Sequence, residues 1–242
     1  MINSEIPLCS LGVENYVATS YKEFRILTFL GETLRENTQK FVPALSLLNS
    51  LAFGFQNITP YEETEGRLLL SDTLMLATLS NLVIGFATYQ IIDRGGNKVV
   101  YQSRGIVPQC QSSGLGRQFT LLACHLHKPD IVAGRAQNPV SIWSTIRSGV
   151  FRTIYPFDIP YTESEEFRSV LAGVTIARGH FGKVDLMTGI QKQAFPMGRL
   201  GNYNINPRHE GVSKIERYLR EAGLNRENGD AIYFLGVVQN SR

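Results

Sequence analysis

Cysteine is scarce in this sequence. The three cysteines, Cys9, Cys110 and Cys124, are odd in number and far apart. That spacing fits neither a disulfide framework nor a zinc site, so it is typical of a protein of the reducing cytoplasm. A free cysteine in such a protein is more often a small buried apolar residue than a nucleophile.

The sequence also lacks long runs of like charge and long apolar runs. The formal charge is +3, and no five like charges follow one another, so the composition predicts neither a nucleic-acid nor a membrane-surface partner. No apolar run reaches the roughly 18 residues of a transmembrane helix, and the first residues lack the pattern of a secretory signal. A chain of 242 residues with 43% hydrophobic residues can bury a sizeable core, and we expect one domain over 1–242.

The first third of the chain reads mainly as helix. Ser20 and Glu23 form a capping-box pattern, and the apolar residues that follow recur every three or four positions, which predicts a helix over 21–35. Pro43 suits the first turn of a second helix over 44–51. Residues 57–66 read as a polar loop.

The pattern changes to strands near residue 73. Two apolar runs, 74–79 and 82–92, predict a hairpin, and a Gly-rich turn leads into a third strand over 98–107. Gly105 within that strand indicates a bulge or a close approach of another backbone or a ligand. A helix that ends before residue 129, a strand over 131–134, a helix over 138–147 and a strand over 151–155 are predicted next.

The last third adds a long segment before the final strand. Helices are expected over 162–177 and 210–222, with an irregular segment rich in Gly, Asn and Pro over 179–207 between them. Residues 231–238 form the last strand. The order predicts an α/β fold with a mixed, largely antiparallel central sheet flanked by helices, and an insertion at about 157–230.

The stretch from Gln111 to Gly116 is the most informative part of the sequence. It joins a strand to a helix, and unpaired N–H groups at a helix start can bind a pyrophosphate where glycine removes the Cβ. A Rossmann fingerprint would need three glycines as G-x-G-x-x-G, and a P-loop would need Gly-Lys-Ser/Thr. Neither pattern is present.

This stretch resembles the central motif of the GNAT N-acyltransferase superfamily, Gln/Arg-x-x-Gly-x-Gly/Ala, with Gln111, Gly114 and Gly116 at the defining positions. The preceding Ile106-Val107-Pro108 is similar to the apolar strand end and proline of that family. Asn138 and Gly149 stand where the family opens and closes its next helix. The resemblance covers about residues 74–151 and implies a GNAT-like fold.

The resemblance implies acyl-CoA, either acetyl-CoA or a longer-chain thioester, as the donor, and no metal. The backbone of Ile106 and Val107 would pair with the pantetheine arm, and one of their N–H groups would polarise the thioester carbonyl. The remaining residues implied for donor binding are Gln111, Ser112, Ser113, Gly114, Leu115, Gly116, Arg117 and Asn138.

The sequence departs from the family pattern at Thr145. Many members carry there a tyrosine that protonates the departing sulfur. A smaller residue would leave space, and we hypothesise an acyl pocket lined by Thr145 and Trp143 that accepts a chain longer than acetyl. The alternative is that Trp143 fills the core.

Several residues could serve the acceptor. His180 and Tyr155 are candidate general bases, the first expected on a loop and the second on a strand. Arg104 could orient an anionic acceptor or cover the sheet. His125 and His127 lie about 200 degrees apart on one helix, so they do not form a metal pair.

These expectations define an acyl-CoA-dependent N-acyltransferase whose acceptor is a primary amine, either a small molecule or a lysine of a peptide or protein. The alternative is a non-catalytic regulatory protein of the same fold that binds acyl-CoA. The sequence leaves the oligomeric state open.

Overall fold

A computed structural model describes residues 5–55, 57–195, 198, 200 and 209–239. Its strands form a mixed sheet in the order β1-β2-β3-β4-β5-β6-β9-β7, with β8 paired to β9. The strands are β1 Val17–Tyr21, β2 Phe24–Leu30, β3 Thr73–Leu79, β4 Leu82–Arg94, β5 Asn97–Ile106, β6 Ile131–Ala136, β7 Phe151–Tyr155, β8 Ile190–Gln191 and β9 Ala231–Val238.

Helices connect these strands. They are α1 Gly31–Glu36, α2 Thr38–Phe53, α3 Tyr61–Leu69, α4 Leu115–His127, α5 Pro139–Ile146, α6 Glu165–Ala177 and α7 Glu210–Glu221. The β5–β6 pairing is parallel, whereas β1–β2, β2–β3, β3–β4, β6–β9, β7–β9 and β8–β9 are antiparallel. The predicted α/β class with a mixed, largely antiparallel sheet is therefore confirmed.

The chain divides into two compact units. The first comprises residues 1–90 and 103–119, and the second comprises 91–102 and 120–242. In the first unit, side chains from β2, β3 and β4 pack against α1, α2 and α3 in one apolar core. None of the helices over the described ranges is long and apolar enough to cross a membrane.

The second unit has two apolar clusters. One packs side chains of β5, β6, β7 and β9 against α6. The other packs side chains of β7 and β9 against α5 and α7. The predicted insertion at 157–230 contributes α6, β8 and α7 to this unit, and parts of it, 196–197, 199 and 201–208, lie outside the described residues.

The helix predicted over 21–35 is wrong, because β1 and β2 form a hairpin there. β2 is paired on both edges, with β1 and with β3. Its buried and exposed residues do not alternate, since the four consecutive residues from Ile26 to Phe29 are all buried. A strand covered on both faces carries a continuous apolar run, which can match a helical period by chance. The helix α1 begins only at Gly31.

The predicted loop over 57–66 is also wrong. It contains the start of α3, where Glu62 and Glu63 occupy the first turn. Their negative charges stabilise the positive end of the helix dipole. Arg67 forms an ion pair with Glu63 at 3.0 Å one turn away. Pro43, expected in a first turn, lies inside the longer helix α2.

Most elements after residue 73 agree with the sequence prediction, because their boundaries are set by local signals. The side-chain oxygen of Asn138 accepts a hydrogen bond from Val140 N at the start of α5. Ser164 caps α6 in the same way through Phe167 N. Gly149, with φ +77°, follows the end of α5. Such caps fix helix ends without help from distant residues.

The close neighbours of Gly105 are side chains, whereas the sequence predicted a bulge or a close approach of another backbone or a ligand. A Cβ on this residue would lie 2.7 Å from Phe86 Cε1 and 2.9 Å from Ala52 Cβ. Only glycine lets the end of β5 pack this tightly against β4 and α2.

Candidate functional site

The end of β5 leads to α4 through the Gln111–Gly116 turn predicted to bind the donor. A short 3-10 turn, Pro108–Cys110, follows the strand. The Gln111 side chain then reaches back, with Nε2 donating to Ile106 O at 3.0 Å and to Ala52 O at 3.5 Å. Gln111 therefore fixes the turn against the strand end.

Two residues of this turn have left-handed backbone conformations, Ser112 with φ +67° and Gly114 with φ +94°. Ser113 Oγ accepts a hydrogen bond from Leu115 N at 3.4 Å, and Gln118 N donates to Gly114 O at 3.0 Å as α4 begins. The turn thus leads directly into the N-terminus of a 13-residue helix. A helix start with this geometry favours an anion through its N–H groups and its dipole.

Two residues from the β1–β2 hairpin lie beside the turn, and the sequence prediction missed both. A Cβ on Gly114 would be 2.5 Å from the Tyr21 hydroxyl oxygen. Lys22, an exposed residue with φ +53°, donates from Nζ to Ser113 O at 2.9 Å. The hairpin therefore adds a hydroxyl and an ammonium group to the amides of the turn. Sequence reasoning could have placed Lys22 in a hairpin turn only after recognising that β1 and β2 pair.

Arg104 joins β5 to the first turn of α4. Its Nη1 donates to Gly116 O at 2.6 Å. Burial lowers the pKa of Arg104 to about 10, so the guanidinium remains charged at neutral pH. The predicted roles for Arg104 were to orient an anionic acceptor or to cover the sheet. In the structure its side chain binds the first turn of α4 instead. Arg117, exposed in the same turn, places a second cation at the helix start.

Ile106 and Val107 were both predicted to pair with the pantetheine arm, but the structure gives their backbone groups different partners. Val107 N donates to Ile84 O at 2.9 Å, and Val107 O accepts from Cys110 N at 3.0 Å. Both backbone groups of Val107 are therefore engaged, which corrects the prediction that it pairs with the pantetheine arm. Because successive strand residues direct their N–H groups to opposite edges, the Ile106 N–H points away from β4.

Asn138 belongs to the second unit, and its side-chain oxygen caps α5 at 2.9 Å from Val140 N. The residue is 8% exposed. The helix cap is thus the role that the structure gives to the asparagine predicted to bind the donor.

Thr145 and Trp143 do not line a common pocket, which corrects the predicted acyl pocket. They are about 200 degrees apart on α5 and contact different elements. Thr145 is buried and accepts from Gln102 Nε2 at 3.3 Å. The Trp143 ring lies against Gly211 and forms an edge contact with His209, with ring centroids 5.6 Å apart. Trp143 therefore packs between α5 and α7, which is the alternative interpretation of this residue.

Tyr155 is a core residue, so its prediction as a general base is wrong. It is 7% exposed. Its ring stacks on Phe167 at 4.1 Å and on Tyr161 at 6.0 Å between centroids. A phenol packed between two rings is not placed to take a proton from a substrate amine.

His180 lies on a loop after α6, as predicted, but it does not titrate near neutral pH. Burial, followed by the positive charges of Arg135, Arg178 and Lys183, lowers its pKa to about 4. Its Nδ1 forms a short hydrogen bond with the Tyr233 hydroxyl. The prediction that its pKa suits a general base is therefore wrong.

The depressed pKa of His180 makes stability sensitive to acid. An unfolded histidine has a pKa near 6.5, so the unfolded chain binds more protons than the folded chain between about pH 6.5 and pH 4. The free energy of unfolding therefore decreases as the pH is lowered through that window. We expect His180→Gln to lessen the drop in Tm between pH 7 and pH 4.5 by about 2–4 °C, on the order of 1 kcal/mol after allowing for partial exposure.

Thermal melts of the wild type, His180→Gln and the exposed-residue control His125→Gln would measure this effect. An equal drop in Tm for His180→Gln and the wild type would contradict the assignment.

Cys110 and Cys124 are unsuited to nucleophilic chemistry. Burial raises the pKa of Cys124 to about 11, and burial together with Glu23 raises that of Cys110. Thiols with such values are protonated at neutral pH. Within the part of the chain that the structure describes, no group of three His, Cys, Asp or Glu side chains could hold a metal ion.

No family model matches this sequence, and no curated protein sequence matches it. Among solved structures, the chain is similar to a ribosomal-protein-S5-alanine acetyltransferase from Vibrio fischeri, with 10% identity, a TM-score of 0.45 and coverage of 93% of this chain and 99% of that one. It is also similar to a GNAT family acetyltransferase from Elizabethkingia anophelis with acetyl-CoA bound, with 14% identity, a TM-score of 0.45 and coverage of 90% and 100%.

A third similar structure is a ribosomal L7/L12 α-N-protein acetyltransferase in complex with coenzyme A. The identity is 17%, the TM-score is 0.42, and 57% of this chain and 84% of that chain are covered. Each of the three is an acetyltransferase. What the present chain does is argued below from its own residues.

Proposed function

We propose that this chain binds acyl-CoA at the Gln111–Gly116 turn and transfers the acyl group to a primary amine. The observation that carries the proposal is the left-handed turn at Gly114, which leads directly into the N-terminus of α4. Lys22 and Arg117 add positive charge beside those amides. A pyrophosphate matches this combination of N–H donors and cations.

The Ile106 N–H is the donor we assign to the thioester carbonyl oxygen. It points away from β4, and the parallel pairing with β6 ends at Gln102, before the strand reaches Ile106. A fixed N–H donor aimed at the developing oxyanion lowers the barrier to attack. Val107, whose backbone groups are both engaged, takes no part in this step.

The reaction needs no covalent enzyme intermediate. The amine nitrogen bonds to the thioester carbonyl carbon, the C–S bond breaks, and the sulfur leaves as CoA thiolate with the bonding pair. One proton leaves the amine nitrogen, and we assign it to solvent because His180, with a pKa of about 4, is a weak base. An ordinary thiol has a pKa near 8.5, so the thiolate departs without an acid at Thr145.

We propose a lysine of a peptide or protein, or a small primary amine, as the acceptor. A non-catalytic acyl-CoA-binding protein is the second candidate. Thr145 favours that candidate, since it stands where the resembling family carries its acid and is already hydrogen-bonded to Gln102.

Two measurements on the purified chain separate these candidates. Calorimetry would give the affinity for CoA, acetyl-CoA and longer acyl-CoA thioesters, with NAD and ATP as controls. A thiol-release assay would then use a panel of primary amines and lysine peptides. Thiol release that requires an amine supports the transferase, whereas tight binding without release supports the binding protein. Failure of every CoA compound to bind would refute both.

Replacing Lys22 with glutamine tests the hairpin's contribution to the donor site. We expect CoA affinity to fall by about two- to fivefold at low salt, because one exposed ion pair contributes on the order of 0.5–1 kcal/mol. The difference should shrink as salt screens the charge. Calorimetry at two ionic strengths measures both effects.

Lys40→Gln is the matched control. Lys40 is also an exposed lysine of the first unit whose Nζ donates to a backbone oxygen, Gly12 O at 3.2 Å. Equal losses in the two variants would show that Lys22 has no specific role.

A further inference from the structure

The second unit contains a cluster of polar side chains that the proposed reaction does not use. Arg135 of β6 is the register partner of Tyr233 of β9. Arg135 Nη1 donates to Gln191 Oε1 at 2.8 Å, and His180 Nδ1 bonds to the Tyr233 hydroxyl. We call Arg135, His180, Gln191 and Tyr233 the Arg135 cluster.

Its members differ in exposure in a way that suits binding. Gln191 is 5% exposed and Tyr233 is fully buried, whereas Arg135 and His180 are partly exposed. The buried pair therefore holds the accessible pair in place. Residues positioned by rigid, buried neighbours make better binding groups than residues on free loops.

The charges around the cluster are of one sign. The groups that act on His180 are Arg135, Arg178 and Lys183, all of them cations. Arg135 Nη1 lies 3.4 Å from His180 Nε2. Because burial and the nearby cations lower the pKa of His180 to about 4, its ring is uncharged at neutral pH, and its contact with Arg135 is a hydrogen bond. The cations Arg135, Arg178 and Lys183 attract an anion placed among them.

An aromatic ring lies against each of the guanidinium groups of Arg135 and Arg178. Arg135 Cζ lies 4.8 Å from the centroid of the Phe195 ring, and Arg178 Cζ lies 4.6 Å from that of Tyr101. Among the described residues, Arg135 makes its hydrogen bonds through Nη1 only. Its Nε and Nη2 thus present the paired N–H geometry that binds an oxyanion bidentately.

We propose that the Arg135 cluster binds the oxyanion group of a ligand, a carboxylate or a phosphate, with Arg135 as the bidentate donor and His180 as the second contact. The bound anion faces Arg178 and Lys183 as further cations, and the ring hydroxyls of Tyr101 and Tyr233 lie on the buried side. The protonated form of His180 donates from Nε2 to the anion, so anion binding favours protonation of His180 and raises its pKa.

Proton NMR of the histidine ring tests this directly. The His180 resonance, assigned by its loss in His180→Gln, would be titrated in chloride, inorganic phosphate or acetate at equal ionic strength. We expect phosphate, acetate or both to raise the pKa of His180 by about one unit or more over its value in chloride. A response to phosphate alone identifies a phosphoryl ligand, and a response to acetate alone identifies a carboxylate.

Arg135→Gln should abolish the response, and Arg135→Lys, which keeps the charge but loses the planar pair of donors, should reduce it. Arg152, an exposed arginine of β7, gives the matched control Arg152→Gln, which should respond like the wild type. Melting curves would establish that each variant is folded. An unchanged pKa in both probes, or equal responses of the Arg135 variants and the control, would overturn the proposal.

Discussion

Gly114→Val is expected to remove acyl-CoA binding and to destabilise the first unit. Gly114 has φ +94°, a conformation that side chains with a Cβ rarely adopt. A Cβ there would also lie 2.5 Å from the Tyr21 hydroxyl, so either the turn or the β1–β2 hairpin must shift. We expect stability to fall by about 1–3 kcal/mol and CoA affinity to fall by roughly tenfold or more.

A second variant separates the two causes of this loss. Gly114→Ala combined with Tyr21→Phe removes the overlap with the hydroxyl but keeps the backbone strain. It should therefore recover part of the stability that Gly114→Ala alone loses. Denaturant unfolding measures the stability and calorimetry measures the affinity.

Gly223→Val is the control for backbone strain. Gly223 has φ +76° at the end of α7, and nothing lies within 4 Å of its Cβ position. It should lose stability but retain CoA affinity. If Gly114→Val bound CoA as tightly as Gly223→Val, the turn would not be the donor site.

The strand-to-helix turn to which we assign donor binding could be located from the sequence because its determinants are consecutive. Gln111, Gly114 and Gly116 lie in one strand-to-helix junction, and the amide geometry of a helix start follows from the chain itself. Tyr21 and Lys22 could not be found in this way. They reach the turn through a hairpin about ninety residues earlier in the sequence, as the Lys22 to Ser113 bond shows, and residues 21–35 had matched a helical period.

Side-chain direction was the second limit. Thr145 and Trp143 are two residues apart on α5, and matching them to family positions did not show which face each one covers. The helical geometry of 100 degrees per residue places them on opposite sides, and the contacts of Thr145 with Gln102 and of Trp143 with Gly211 agree with that geometry. The same reasoning had excluded a metal pair at His125 and His127.

The environment of a titratable group was the third limit. His180 is a loop residue in sequence, and an isolated loop histidine titrates near pH 6.5. Its pKa falls to about 4 because folding partly buries it and brings it among the positive charges of Arg135, Arg178 and Lys183. Arg135 and Tyr233 come from strands β6 and β9, which the chain joins only after about a hundred residues. No local pattern encodes that encounter.

Gly211→Ala is expected to destabilise the second unit by about 2–3 kcal/mol or more, although alanine favours a helix over glycine by about 0.5–1 kcal/mol. A Cβ on Gly211 would overlap the outer ring atoms of Trp143, with Cζ3 at 2.5 Å. Trp143→Leu removes those ring atoms, so the double variant should be less unstable than the sum of the two single changes. Gly66→Ala is the helical control, since nothing lies within 4 Å of the Gly66 Cβ position in α3.

The same variants test whether Trp143 is a core residue or part of an acyl pocket. Within the described residues the indole Nε1 makes no hydrogen bond, and the ring packs between α5 and α7 with Gly211 beneath it. A core role predicts that Trp143→Leu lowers the free energy of unfolding but leaves the relative affinities for acetyl-CoA and longer acyl-CoA thioesters unchanged. If Trp143→Leu instead bound longer acyl-CoA thioesters better relative to acetyl-CoA and kept its stability, Trp143 would be part of an acyl pocket.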